Sequence, residues 1–132
     1  MKVLALDYGR ARTGVAVSDP TGTIARPLCV VERAATEDGL AEIAALIEQH
    51  GVERVVVGLP LTLAGERGEQ VRETERFLDG LAGVTSVPIL TFDERFTTTL
   101  AAQASAEVTP EDARAAAHLL SGYLAWASGA PA

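Results

Sequence analysis

Acidic residues stand at the ends of otherwise apolar segments, where a carboxylate is in place to act on a ligand. Asp7 closes the run KVLALD at residues 2–7. A carboxylate at the end of a buried strand loses hydration at a cost of several kcal/mol unless it is paired or bound to a metal. Two readings of Asp7 compete: it caps its loop or pairs with Arg10 or Arg12, or it serves a ligand. Asp93 and Glu94 follow the apolar run VPILTF at 87–92. Open α/β sheets bind ligands beyond the carboxyl ends of their strands, so acids there are site candidates. Alternation sends Asp93 and Glu94 to opposite faces, and only one of them can join Asp7. The competing reading is a polar strand exit neutralised by Arg95. Asp112 lies in Thr109-Pro110-Glu111-Asp112, where it takes the N3 position of a capping box. It also extends the helical stripe of Ala115/Ala116, Leu119 and Tyr123, while Glu111 leads towards Arg114 and His118.

Three inward acids from separate segments repel one another unless divalent cations lie between them. Carboxylate and water ligands suit Mg²⁺ or Mn²⁺ rather than zinc. Two such ions about 3.5–4 Å apart activate water and stabilise the leaving oxygen in phosphodiester hydrolysis. The triple arrangement carries this reading; no single acid does.

The elements that must position these acids follow from pattern. Residues 2–7, 14–19 and 26–31 are short apolar runs, with Gly9 and Gly14 bracketing the first loop and Gly22 turning the chain before the third. They read as an antiparallel meander. Thr36 is an N-cap for a helix over 37–50, whose Leu40, Ile43, Ala44 and Ile47 repeat at helical spacing, and Gly51 is its stop. Residues 53–59 form a β-branched central strand. A helix over 67–82 turns Val71, Leu78 and Leu81 inward with Phe77 beside them. Its outer face carries Glu69 with Arg72 and Glu73 with Arg76. A last strand at 87–92, a helix over 97–106 and a helix over 110–127 complete the order β-β-β-α-β-α-β-α-α. That order predicts an α/β fold: a ribonuclease-H-like mixed five-stranded sheet flanked by helices.

Composition narrows the function. The chain has 132 residues, the length of one domain spanning 1–132, and no internal repeat or linker divides it. Its opening MKVLALDYG reads as a first strand rather than a secretory leader. No apolar run approaches a membrane span. Cys29 is the single cysteine, which excludes an internal disulfide or a cysteine zinc site and fits the cytoplasm. The formal charge is −7, yet all the basic residues but Lys2 are arginines. Arginine presents a planar fork to phosphate, so a local patch can bind nucleic acid against the global sign. There is no GxxxxGK[ST] loop, GxSxG elbow or HExxH pair. His50 is a helix C-terminal charge and His118 a surface residue. Trp126, Tyr123 and Leu119 read as core, since aromatics make up only 5% of the chain.

Four collinear blocks carry a family resemblance: LALDYGRARTGVAVSD at 4–19, VVVGLPL at 55–61, DERFTT at 93–98 and DARAAAHLLSGYL at 112–124. Together they resemble the YqgF family, also called RuvX, of ribonuclease-H-like nucleases. The resemblance implies processing of the 5′ end of pre-16S ribosomal RNA, with Holliday-junction resolution or non-catalytic RNA binding in ribosome assembly as alternatives. It assigns Asp7, Glu94 and Asp112 to catalysis and to Mg²⁺ or Mn²⁺, with Arg12 and Arg95 near the scissile phosphate. Arg10, on the same loop as Arg12, joins them as a substrate-binding candidate. The expected partner is pre-16S or other single-stranded RNA, or branched DNA, bound by a monomer or weak homodimer and with no membrane. The stretch Thr62-Leu63-Ala64-Gly65 departs from the family's usual loop, as does Leu100 where the family carries an acid. The opening Asp7-Tyr8-Gly9 also resembles actin-like ATPases, but those enclose nucleotide between two such domains.

Overall fold

A computed structural model describes residues 1–59, 69–93 and 111–127, with side chains described for 1–58, 72–92 and 113–127. Strand β1 (Val3–Asp7) pairs antiparallel with β2 (Arg12–Ser18), which pairs antiparallel with β3 (Ala25–Glu32). Helix α1 (Glu37–His50) leads to β4 (Arg54–Leu59), parallel to β1. Helix α2 (Glu69–Ala82) leads to β5 (Ile89–Asp93), parallel to β4. Helix α3 (Glu111–Ala127) packs across β1, β2 and β3. The sheet order is β3-β2-β1-β4-β5, the mixed five-stranded sheet expected from the sequence.

Both faces of the sheet are covered, which is why β1 and β4 read as continuous apolar runs rather than alternating ones. Leu4, Leu6, Val15, Val17, Val55 and Val57 face α1 and α2 and pack on Ile43, Ile47, Phe77 and Leu81. Val3, Ala5, Ala16 and Val56 face α3 and pack on Ala116, Leu119, Leu120 and Tyr123. The alanines on this second face leave room for α3 to lie close against the strands.

Local chemistry fixes the boundaries. Thr36 caps α1 by accepting the Gly39 amide, and Gly51 ends it in the left-handed conformation at φ 62°. Asp19 closes the β2–β3 loop by accepting the amides of Thr23 and Ile24 and the Thr21 hydroxyl. These donors hold the Asp19 carboxyl well below the usual carboxylate range, the Ile24 amide contributing most. Pro27 is tolerated because β3 is an edge strand, and the β2–β3 register shifts between Val15 and Ala16.

Three expectations change. Phe77 is not a flank but a centre of the core, 1% exposed and stacked on Tyr8 with ring centroids 4.6 Å apart. Trp126 is 69% exposed rather than core, although Leu119 and Tyr123 are buried as expected. Glu73 does not serve Arg76 one turn along the helix: it pairs with Arg10 of the β1–β2 loop. A loop residue brought over the helix competes successfully, because an exposed i,i+3 pair is worth only a few tenths of a kcal/mol. The helix expected over 97–106, the loop 61–68 and the Thr109 cap lie outside the described residues.

Candidate functional site

Asp7 is the last residue of β1, half-buried, and sits opposite Gly14 of β2. Alternation along β1 places it on the face of Val3 and Ala5, the face that α3 covers. Arg12 opens β2 on the same face, in step with Gly14 and Ala16. Arg10 goes the other way. Its guanidinium reaches α2, where Nε donates to Glu73 Oε2 at 3.1 Å and Nη2 to Glu73 Oε1. Strand geometry thus separates two arginines that the sequence puts two residues apart.

The loop between them is held at several points. The Gly9 amide donates to Thr13 Oγ1 at 3.3 Å, and the same hydroxyl bonds back to the Gly9 carbonyl. The Arg33 amide donates to the Ala11 carbonyl at 3.0 Å. A Cβ at Gly9 would lie 2.4 Å from the Arg12 carbonyl oxygen, so only glycine allows this approach. Arg10 and Arg12 therefore project from a braced turn.

One contact pins the C-terminal half of α3 to the sheet. Arg54, the first residue of β4, is the register partner of Val3 in β1 and donates from Nη1 to the Tyr123 hydroxyl at 2.9 Å. The C-terminal half of α3 is thereby held over the starts of β1 and β4. From there the helix crosses β1, β2 and β3. Position 112 falls on the arc of α3 that carries Ala116, Leu119 and Tyr123, all buried against the sheet.

On β5, Ile89 and Thr91 are in register with Val55 and Val57, so position 93 belongs to the α1–α2 face. Asp93 is thus on the opposite face of the sheet from Asp7. Glu94 and Arg95 lie outside the described residues, and of Asp112 the backbone alone is described. Among the described residues no cluster of three metal-ligating side chains occurs. What the structure places on one face of the sheet is Asp7 and Arg12, the face that α3 covers.

The sequence reading missed a second feature at this end of the sheet. A cleft of about 620 Å³ opens on the α1–α2 face, lined by Tyr8, Arg10, Arg33, Thr36, Glu73 and Arg76 among others. Burial, with the Glu73 charge behind it, pushes the Tyr8 hydroxyl pKa up. The Arg10 hydrogen bond holds the Glu73 carboxyl below its ordinary value. The excess of arginine over lysine was the available signal, but nothing in the spacing gathers Arg10, Arg33 and Arg76.

Comparison with known proteins places this geometry. A family model described as "RuvX: Holliday junction resolvase" matches residues 1–126. The chain belongs to the RuvX family. A relative from Chloroflexus aurantiacus, named "Putative pre-16S rRNA nuclease", is 48% identical over 101 residues, covering 76% of this chain and 66% of its own length. A relative of the same name from Roseiflexus is 40% identical over 116 residues, covering 86% of this chain and 82% of its own. This RuvX-family chain also shares its fold with Thermus thermophilus RuvC, solved with a Holliday junction substrate. That likeness has a TM-score of 0.69 at 17% identity and covers 98% of this chain and 97% of the other. The family name and the relatives' names both describe enzymes that cleave phosphodiester bonds.

Proposed function

We propose that this RuvX-family chain is a divalent-metal-dependent nuclease, with Asp7, Glu94 and Asp112 as its metal ligands and catalytic acids. One observation carries the proposal: a half-buried acid ends the central strand β1 on the face that α3 covers. The donor set fits a hard cation. Carboxylates without a nearby thiolate or histidine pair match Mg²⁺ or Mn²⁺, two ions being the expected complement. Such ions, when bound, lower the pKa of coordinated water and stabilise a leaving oxygen.

The chain's own residues supply the rest. Asp7 is rigidly placed, because β1 is paired on both sides and its neighbour Leu6 is fully buried. Arg12 lies on the same face and offers its fork to the phosphate beside the bond that breaks. Arg95, next to Glu94 in sequence, is proposed for the same task. Arg10 contributes from the other face.

The substrate proposed first is pre-16S ribosomal RNA, supported by the names of the relatives. A four-way DNA junction is the second reading, favoured by the description of the family model. The setting proposed is the reducing cytoplasm, as a monomer or weak homodimer, the single cysteine having no partner in the chain for a disulfide. The test titrates Mn²⁺ into the protein and measures thermal stability and site-specific cleavage of both substrates. Metal binding to the native state raises Tm by mass action, and Asp7→Asn abolishes the rise. Absence of both stabilisation and cleavage in the wild type would leave only nucleic-acid binding.

A further inference from the structure

The cleft on the α1–α2 face is not part of the acid site, yet the two share one end of the sheet. Asp7 and Tyr8 are consecutive, and alternation sends them to opposite faces: Asp7 towards α3, Tyr8 into the core of the α1–α2 side, where it lines the cleft. A polymer crossing the end of β1 meets both.

Among the described residues, the cleft lining carries three arginines against one acid, in a chain of formal charge −7. Arg10, Arg33 and Arg76 enter it from three separate segments: the β1–β2 loop, the β3–α1 turn and α2. Glu73 is the one acid among the described residues of the lining, and it is engaged by Arg10. All three arginines are exposed, so their forks are reachable from solvent.

Arg33 is held there at a backbone penalty. Its φ is 49°, the single positive value of a non-glycine residue among the described ones. L-residues are disfavoured in that region, and an observed outlier is grounds for a functional hypothesis. The conformation is imposed from several sides. The Arg33 amide bonds to the Ala11 carbonyl, and the Arg33 carbonyl accepts both the Thr36 amide and its hydroxyl. A Cβ at Gly39 would meet the Arg33 carbonyl oxygen at 2.3 Å, so α1 presses directly on the turn. A glycine at position 33 would sit in this turn without strain; the arginine adds a guanidinium facing the cleft.

We propose that this cleft is a phosphate subsite that grips the nucleic-acid backbone on the face of the sheet opposite the acids, with Arg33 and Arg76 as its forks and Glu73 as its gate. The proposal rests on the nuclease reading and deepens it. Glu73 holds Arg10 until a phosphodiester competes for the guanidinium, so the carboxylate sets a threshold against weak anions. A strand seated there runs from the cleft over the end of β1 towards Asp7.

The experiment measures anisotropy of a labelled single-stranded RNA, and of a labelled four-way DNA junction, in EDTA over a series of KCl concentrations. The variants are Arg33→Gly, Arg76→Gln and Glu73→Gln. The control is Arg26→Gln, which removes an exposed arginine at the far end of β3. Each lost phosphate contact lowers the slope of log K against log salt by about 0.7 on single strands. Arg33→Gly and Arg76→Gln each lower the RNA slope by about that amount and weaken binding several-fold. Arg33→Gly does so with Tm unchanged or raised, which no loss of folding reproduces. Glu73→Gln tightens binding. Arg26→Gln leaves the slope alone. Slopes of the cleft variants matching Arg26→Gln, or weaker binding by Glu73→Gln with Tm retained, overturn the subsite and leave the acid site standing. A wild type that binds neither nucleic acid overturns the subsite together with the nuclease reading.

Discussion

The Tyr123 hydroxyl accepts a hydrogen bond from Arg54 Nη1 at 2.9 Å, and this bond pins the second half of α3 over the start of β4. Arg54 starts β4 and Tyr123 belongs to the second half of α3, whose buried residues pack on Val3, Ala5, Ala16 and Val56.

Removing the hydroxyl leaves the half-buried Arg54 guanidinium one acceptor short. Tyr123→Phe is expected to lower stability by about 1–2 kcal/mol, since bonds to charged groups exceed the neutral average. A urea titration reads this as a lower midpoint at unchanged slope. An unchanged midpoint would mean that apolar packing alone orients α3.

The α1 entrance is sterically closed. A Cβ at Gly39 would stand 2.3 Å from the Arg33 carbonyl oxygen and 2.6 Å from the Ala34 Cα, both backbone atoms that have no rotamer to yield. Gly39→Ala is expected to destabilise by about 2–3 kcal/mol, despite the better helix propensity of alanine. Thermal unfolding measures it. A stabilised variant would show that the turn relaxes freely.

Much of this was legible before any coordinates. The meander, the α1 caps at Thr36 and Gly51, and the β-branched centre of β4 each follow from short-range rules, and each element forms within a residue or two of its expected bounds. Asp7 was legible as well, because an acid at the end of an apolar run stands out wherever the strand lies. What the sequence hid depends on distance in space. Glu73 has Arg76 one helical turn away, yet it bonds Arg10, a residue remote in sequence and carried over α2 by the braced loop. Trp126 follows the buried stripe in spacing but lies near the end of α3, where its ring meets Phe92 and Tyr123 at a tilt and stays exposed. The ambiguity between Asp93 and Glu94 could not be resolved without register; the pairing of Leu59 with Asp93 sends position 93 to the face away from Asp7.

Phe77 links the core to the cleft. It is 1% exposed and stacks on Tyr8, which lines the cleft wall. Phe77→Ala is expected to cost about 3–5 kcal/mol through lost transfer energy and the cavity left behind. Calorimetry or denaturant unfolding checks it, and a loss below about 1 kcal/mol would contradict the packing described.

Asp19 gives stability a dependence on acid. Its pKa is depressed in the folded state by the Ile24 and Thr23 amides and the Thr21 hydroxyl. The contribution is therefore complete above the ordinary carboxylate range and is lost as the pH falls through the depressed folded value. Asp19→Asn should be less stable than the wild type near neutrality, with a gap that narrows on acidification. Stability curves of both proteins between neutral pH and strong acid test the sign. A gap that widens on acidification would contradict it.

The most direct measurement compares the wild type with Asp7→Asn in cleavage of single-stranded RNA with Mn²⁺, alongside RNA affinity in EDTA and Tm without metal. The expected result is cleavage reduced to background in the variant, with affinity and metal-free Tm retained. Cleavage by Asp7→Asn at the wild-type rate would contradict the account, because the acid at the end of β1 would then have no part in the chemistry.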